Sequence, residues 1–147
     1  MAGTLFLAAC ATNGTSPISQ CNLHQVQPGR HGSLLLVIDG ADDSAMPSAW
    51  QGPMHVSVNG EKTCVLSDES GIISGPFLFD GQDALFFTSY SGSNQQAKML
   101  AISQCKIKWK SEAFGAGTLA AERGRLQVGA KRWRLADDCV PSPVRDQ

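Results

Sequence analysis

The chain has 147 residues, a formal net charge of −1 and an apolar fraction of 42%. This length suits one domain whose core is large enough to fold without a structural metal. The near-neutral charge gives no reason to expect nucleic acid as a partner. No apolar run approaches the ~18–20 residues that a helix needs to cross a bilayer.

The charges are distributed unevenly along the chain. Eight acids and one base, Lys62, lie between Asp39 and Asp83, whereas nine bases and two acids lie between Lys98 and Arg134. Charge separation of this kind can steer an oppositely charged partner to one side of a molecule. Alternatively, both sets lie on solvated faces that pack near each other and cancel.

The segment Leu7-Ala8-Ala9-Cys10 resembles the lipobox of bacterial lipoproteins, in which the cysteine is acylated and becomes the new N-terminus. Residues 11–17 are small and polar, like the tether that joins lipid to fold in such proteins. The apolar segment before the cysteine is shorter than a secretory signal and lacks Lys and Arg. This leaves two alternatives, a natural start upstream of Met1 or a chance match.

The lipobox resemblance implies a lipid anchor on Cys10 and therefore a membrane contact through that lipid. Ala11 stands where such lipoproteins carry Asp if they are retained at the inner membrane. The resemblance thus implies the bacterial envelope as the location, on the periplasmic face and anchored to the outer membrane.

With Cys10 assigned to lipid, four cysteines remain for crosslinks: Cys21, Cys64, Cys105 and Cys139. They show no metal-binding spacing, and in an oxidising compartment they would form two disulfides. Three pairings are possible. We favour Cys21–Cys64 with Cys105–Cys139, because each pair would then hold one half of the chain. Four reduced thiols in a cytosolic protein are the alternative.

Residues 1–20 are interpreted as signal remnant, lipidation site and tether, residues 21–140 as a single β domain, and residues 141–147 as a flexible tail. Leu34–Ile38 is a continuous apolar run typical of a fully buried strand. Residues 41–53 carry two prolines and indicate a long loop that could contain one helical turn.

A hairpin is predicted over residues 54–66, where Asn59-Gly60 separates two β-type runs. A two-residue turn would place His55 opposite Cys64. Thr63 and Val65 would then share a face with the apolar side chains of the first strand, which are Met54, Val56 and Val58.

Two later segments define the predicted sheet. Residues 84–90 are apolar on both faces, which is typical of a central strand. In residues 105–110, strict alternation places Cys105, Ile107 and Trp109 on one face and three lysines on the other. About seven or eight short strands at intervals of about ten residues indicate an all-β fold, an antiparallel sandwich or small barrel stapled by disulfides.

No arrangement of residues points to catalysis. The three histidines, His24, His31 and His55, have no partner at catalytic or metal-binding spacing, and no nucleophile elbow or phosphate loop occurs. Adjacent carboxylates such as Asp42 and Asp43 point apart on an extended chain and make no acid–base pair. We therefore expect a protein without enzymatic activity, cofactor or metal.

The most suggestive binding segment runs from Ser89 to Gln96, directly after the predicted central strand. Its small polar side chains could enter a partner's cleft at little steric cost. Ser91-Gly92-Ser93 in an anchored β domain resembles the Ser-Gly loop that periplasmic lysozyme-inhibitor lipoproteins present to the lysozyme active site. The resemblance implies a protein partner of the lysozyme-like hydrolase class, contacted by these residues: Tyr90, Ser91, Gly92, Ser93 and Asn94.

Our leading hypothesis is an envelope-anchored, non-enzymatic binding protein, and its sharpest version is an inhibitor of, or immunity protein against, a cell-wall hydrolase. One alternative is a structural accessory lipoprotein of an outer-membrane or secretion complex, which would use its exposed Lys and Arg strands. Another is a small-ligand-binding barrel. The sequence leaves the partner and the oligomeric state open.

Overall fold

The computed structural model describes residues 20–67, 71–115 and 117–144. Across these residues the regular structure consists of fourteen β-strands. In chain order they are β1 (His24–Val26), β2 (Gly29–His31), β3 (Leu34–Ile38), β4 (Ala49–Trp50), β5 (Met54–Val58), β6 (Lys62–Leu66), β7 (Ile72–Phe79), β8 (Ala84–Ser91), β9 (Asn94–Ala101), β10 (Lys106–Lys110), β11 (Leu119–Glu122), β12 (Arg125–Val128), β13 (Lys131–Leu135) and β14 (Pro141–Pro143).

The strands form three antiparallel sheets. The central sheet has the order β1-β7-β8-β9-β10, and β4 also pairs with β7. The N-terminal sheet has the order β2-β3-β5-β6, and the C-terminal sheet has the order β11-β12-β13-β14. None of these three sheets closes on itself.

The central sheet is covered on both faces, and β8 shows this most clearly. Leu85 and Phe87 pack into a cluster shared with the N-terminal sheet, while Ala84 and Phe86 pack into a second cluster shared with the C-terminal sheet. A strand covered on both faces has apolar residues on both, as predicted for this segment. The predicted all-β antiparallel sandwich is confirmed, with three layers, and the barrel alternative is wrong because the sheets stay open.

The disulfides are Cys21–Cys139 and Cys64–Cys105, so the pairing favoured from the sequence is wrong. Cys21 precedes β1 and Cys139 follows β13, and the bond joins the two ends of the described chain. Cys64 lies on the buried face of β6 and reaches Cys105 in the turn between β9 and β10. Each bond therefore connects distant segments rather than holding one half of the chain.

The hairpin of β5 and β6 forms as predicted, but its register differs by one residue. Asn59 and Gly60 both have positive φ, of 56° and 70°, as the Asn-Gly signal requires. Glu61 lies outside the ladder, however, and Val58 pairs with Lys62. Because side chains alternate with a period of two, this shift turns Cys64 toward the core and Val65 outward, 50% exposed.

Strand β10 carries a bulge that the alternation did not predict. Ile107 pairs with Leu100 and Trp109 pairs with the next residue, Met99, so one extra residue, Lys108, interrupts the ladder. A bulge of this kind reverses the alternation beyond it. Ile107 consequently packs against the N-terminal side of the central sheet and Trp109 against the C-terminal side, and the prediction that they share a face is wrong.

The remaining differences from prediction concern the burial of one strand and the presence of two short strands. Segment 34–38 is buried only on alternate residues, and Val37 is 44% exposed, because one face of the N-terminal sheet meets solvent. The loop at 41–53 contributes Ala49–Trp50 as β4. Pro141–Pro143, expected as the start of a tail, pairs with β13 as β14. Brief pairings of this kind raise the strand number above the seven or eight expected.

Candidate partner-binding site at the hairpin tip

The binding segment inferred from the sequence lies at the tip of the longest hairpin. Strands β8 and β9 pair from Ala84 with Ala101 up to Ser91 with Asn94, so only Gly92 and Ser93 connect them. Gly92 has a φ of 63°, and a glycine at the first central position suits the type II′ turn that joins twisted strands. The predicted eight-residue polar loop is therefore wrong in extent, because its two ends belong to strands.

The tip presents small polar side chains to solvent. Ser91, Gly92, Ser93 and Asn94 are all exposed. Their side chains make no hydrogen bond to any residue within the described parts of the chain. Ser89, which belonged to the predicted segment, is buried at 4% exposure. The side chains available to a partner thus begin at the end of β8.

Tyr90 sits beneath the tip in a row of side chains that crosses the central sheet. It pairs with Ile72 on one side and Gln95 on the other. Gln95 in turn exchanges backbone hydrogen bonds of 3.1 and 2.8 Å with Phe114. Directly opposed residues of antiparallel strands share a face, so these side chains form one continuous row. Ile72 is 37% exposed and supplies apolar surface next to the polar turn.

The row of Ile72, Tyr90, Gln95 and Phe114 depends on the close approach of the Gly71 backbone to the Tyr90 backbone. A Cβ atom at this position would lie 2.5 Å from the carbonyl oxygen of Tyr90. Real Cβ atoms do not approach backbone oxygen so closely, and a larger residue would push β7 away from β8. Sequence reasoning missed Gly71, Ile72 and Phe114, because their proximity to Tyr90 arises from pairing between distant segments that no local motif reveals.

Lys98, the base nearest to the tip along the chain, is buried at 2% exposure. It pairs with Phe87 on β8 and with Lys110 on β10, and so lies in the middle of the central sheet. Its ammonium group cannot provide the exposed positive charge that the resemblance to lysozyme inhibitors would call for. Any charge that this site offers a partner comes from other segments.

The acidic loop at residues 39–49 joins the central sheet close to the tip. Trp50 pairs with Ile73, which directly follows Ile72 on β7. Asp42 organises the loop, since its carboxylate accepts hydrogen bonds from the N–H groups of Ser48 and Ala49 at 2.9 and 3.2 Å. The Ser48 hydroxyl donates a third at 2.8 Å.

These hydrogen bonds, led by the one from the Ser48 N–H, lower the pKa of Asp42 from 3.8 to about 2. The loop is therefore held by a carboxylate that stays ionised at every ordinary pH. Asp43 likewise accepts the N–H groups of Ala45 and Met46. Asp39 contacts His55 at 3.1 Å.

The carboxylates of this loop are engaged locally rather than gathered around a common point. Within the described ranges, no group of three His, Cys, Asp or Glu side chains is placed to hold a metal ion. His55 lies on the solvent side of the N-terminal sheet, and its imidazole contacts the carboxylate of Asp39. The arrangement places an acidic loop and an exposed polar turn toward the same end of the central sheet, which suits recognition of a basic partner.

The remaining predicted site residues lie elsewhere. Cys10 falls outside the described residues. The Cys21–Cys139 bond lies at the other end of β8, because the Cys139 Sγ is 3.8 Å from the carboxylate of Asp80, whose N–H bonds to the Ala84 carbonyl. Seven residue steps of a strand separate this point from the tip, which is a distance of about 23 Å.

A comparison of the chain with protein-family models, with characterised proteins and with solved structures finds no match in any of the three. The parts of the chain that the structure describes form no helix long and apolar enough to cross a membrane.

Proposed function

We propose that this protein is a lipid-anchored, non-enzymatic binding protein of the bacterial envelope, and that the hairpin tip at Tyr90–Asn94 contacts its partner. In the sharpest version, the partner is a lysozyme-like cell-wall hydrolase, and the protein acts as its inhibitor or as an immunity protein. The observation that carries the proposal is the position of the tip, an exposed polar turn on the most deeply buried hairpin of the fold.

A rigid tip is well suited to enter a cleft. The strands that carry it are fixed by pairing on both sides, and the turn has only two residues, so little conformational entropy is lost on binding. Hydroxyl and amide groups at Ser91, Ser93 and Asn94 can replace water in a polar active site. The side chains of Tyr90 and Ile72 add apolar contact at the base of the turn.

Charge supports a basic partner. Asp39, Asp42 and Asp43 are exposed in the loop that reaches the tip end of the central sheet. The exposed arginines of β12 and β13 lie on the C-terminal sheet, on the far side of the central sheet from β3, which leads into this loop. The two sets of charge are therefore separated by a full layer and do not cancel locally.

The envelope location rests on the lipobox resemblance and is supported by the crosslinks. Two disulfides that join distant parts of the chain are typical of proteins that fold in an oxidising compartment. The anchor proposed at Cys10 would precede Cys21, which lies about 23 Å from the tip. An anchored chain would thus leave the tip accessible.

The experiment has two parts. Mass spectrometry of the protein purified from bacterial membranes tests for an acylated N-terminal Cys10. Separately, the soluble full chain carrying Cys10→Ser is added to a lysozyme that digests purified cell walls. We expect slower digestion, and we expect Ser93→Arg to restore it, because a bulky cation at the turn would clash with the cleft and repel a basic enzyme.

The matched control is Ala130→Arg, which introduces the same side chain into another exposed two-residue turn, between β12 and β13. This variant should inhibit as well as the parent chain. If neither the parent nor the control slows any cell-wall hydrolase tested, the inhibitor version is wrong. If inhibition is unchanged by Ser93→Arg, the tip is not the binding site.

A structural accessory lipoprotein of an outer-membrane or secretion complex is the second candidate. It is favoured by the open edge of β10, which carries Lys106, Lys108 and Lys110, all exposed. Lysines on an edge strand discourage pairing with further strands, so these side chains would meet an acidic partner surface rather than extend the sheet. Recovery of secretion components and no hydrolase in a pull-down from envelope extract would favour this candidate.

A further inference from the structure

The outer face of the C-terminal sheet carries three arginines in adjacent positions. Arg125 on β12 pairs directly with Arg134 on β13, and Gln127 pairs with Arg132. Arg132 and Arg134 are two residues apart on one strand, so all three side chains leave the same solvent face. We call this surface, Arg125, Arg132 and Arg134 around Gln127, the arginine face.

This arrangement is unfavourable for the sheet itself. Like charges directly opposite each other on antiparallel strands are destabilising. Glu122 stands opposite Arg125 on the other side, yet no carboxylate of the described residues lies within 4.0 Å of any of the three guanidinium groups. The three guanidinium groups therefore face solvent without a bonded carboxylate from the described residues. Residue pairs that destabilise a fold are expected mainly at functional sites, so this face is a candidate contact surface for a partner.

The other side chains of the face indicate what kind of partner fits. Besides Glu122, which stands opposite Arg125, the side chains between and beside the arginines are Ala120, Gln127 and Ser142, which are small or polar and exposed. Among the described residues, no aromatic or large aliphatic side chain lies on the same side of the strands as the arginines, where it could anchor a protein interface. A broad polar face with several guanidinium groups matches a flat layer of phosphates, which arginine binds through paired N–H donors.

The chain enters the fold beside this sheet. The Gln20 N–H donates to the carboxylate of Asp137 at 3.0 Å, and Cys21 is bonded to Cys139. Both partners lie in the segment that follows β13. Asp137 and Asp138 are the acids of this segment. The Asp137 carboxylate accepts the Gln20 N–H, and the Asp138 carboxylate accepts the Val140 N–H. Residues preceding the fold therefore start at the end of β13, the strand that carries Arg132 and Arg134.

We propose that the arginine face lies against the anionic phospholipid headgroups of a membrane. The inference rests on the proposed function for one step, namely that Cys10 is the anchor. Ten residues separate Cys10 from Gln20 and span at most ~36 Å, which allows the face to reach the bilayer surface. The hairpin tip belongs to the central layer, about 10 Å further from the membrane, and stays open to a partner.

The test uses the full chain carrying Cys10→Ser, so that no acyl chain can hold it on a membrane. Cosedimentation is measured with vesicles of phosphatidylcholine mixed with phosphatidylglycerol, and with vesicles of phosphatidylcholine alone. We expect binding to the mixed vesicles only, weakening as salt is added. The triple variant Arg125→Ser, Arg132→Ser, Arg134→Ser should bind about a hundredfold more weakly. Each basic residue that lies at an anionic surface strengthens binding about fivefold.

The matched control is Lys106→Ser, Lys108→Ser, Lys110→Ser, which removes the same charge from the edge of the central sheet and should keep most of the binding. Equal losses in the two variants would overturn the inference, as would binding to phosphatidylcholine alone. Retention on immobilised polyaspartate without vesicle binding would also overturn it, in favour of an acidic protein. Because acylation of Cys10 is measured separately, failure of the anchor and failure of the arginine face are distinguishable.

Discussion

At the scale of single residues, Asp42 shows how a carboxylate fixes a loop without metal or helix. Its oxygens accept two backbone N–H groups and one hydroxyl across six or seven residues of chain. The loop thereby keeps a defined shape beside Trp50, one pairing step from the row that supports the tip. The candidate site thus depends on residues that do not touch the partner themselves.

Replacement of Asp42 by Ala is expected to loosen this loop without unfolding the protein. The amides of Ser48 and Ala49 lose their acceptor, so their hydrogen exchange should accelerate. Asp43→Ala is the matched control, because it releases the amides of Ala45 and Met46 instead. If the Ser48 and Ala49 amides exchange at the parent rate in Asp42→Ala, the carboxylate does not hold the loop.

The pH dependence of the same loop has a definite sign. The folded pKa of Asp42, about 2, lies below its ordinary value of 3.8. The ionised carboxylate therefore contributes fully above the ordinary value, and its contribution is lost as the pH falls through about 2. Exchange of the Ser48 amide, corrected for its intrinsic rate, should rise over this interval.

At the scale of elements, the sequence predicted strands far better than it predicted register. Segment 84–90 could be recognised as central because apolar residues occupy both of its faces, and the hairpin at 54–66 because Asn-Gly permits positive φ. The extra residue at Glu61 and the bulge at Lys108 have no comparable signal. Each follows from how a strand meets a neighbour distant in the chain, and each reverses the side on which later residues lie.

The disulfide pairing shows how strand register decides which cysteines can meet. Had the hairpin taken the predicted two-residue register, Cys64 would face solvent opposite His55. With Glu61 outside the ladder it faces the core, where it meets Cys105. The pairing of cysteines thus depended on a one-residue shift that composition and spacing could not show. The position of the tip, by contrast, was predicted from local sequence, whereas its extent and its tertiary neighbours were not.

The bulge in β10 predicts an unusual tolerance to deletion. Removing Lys108 takes out the extra residue and leaves Ile107 and Trp109 on their present faces, so we expect the free energy of unfolding to fall by about 1 kcal/mol or less. Removing Lys110 is the control. It shifts buried Ser111, whose hydroxyl and N–H both bond to the Ala97 backbone, and should cost about 2–3 kcal/mol.

Urea unfolding of the two deletion variants measures both costs. A straight, regular strand would tolerate neither deletion, because either one would turn the residues beyond it to the opposite face. Comparable losses in the two variants would therefore mean that Lys108 is not an extra residue in the ladder.

At the scale of the whole molecule, the three layers share one central sheet. Phe86 and Phe87 are consecutive residues of β8, both fully buried, and they belong to different clusters. Strand β8 therefore covers the inner face of the N-terminal sheet with one set of side chains and the inner face of the C-terminal sheet with the other. The two crosslinks likewise join separate parts of the fold. Cys64–Cys105 ties the N-terminal sheet to the central sheet, and Cys21–Cys139 joins the two ends of the described chain.

The crosslinks should differ in their contribution to stability. The chain-entropy relation gives about 5 kcal/mol for a loop of 118 residues and about 4 kcal/mol for one of 41. The retained Cys64–Cys105 bond shortens the loop that Cys21–Cys139 closes. We therefore expect the double variant Cys21→Ala, Cys139→Ala to lower the free energy of unfolding by up to about 1 kcal/mol more than the double variant Cys64→Ala, Cys105→Ala. Urea unfolding of the two double variants, each retaining the other bond, measures the difference, and non-reducing peptide mapping confirms which bond remains. A larger loss for the Cys64–Cys105 variant would show that contacts between the layers, rather than closure of the long loop, dominate the effect.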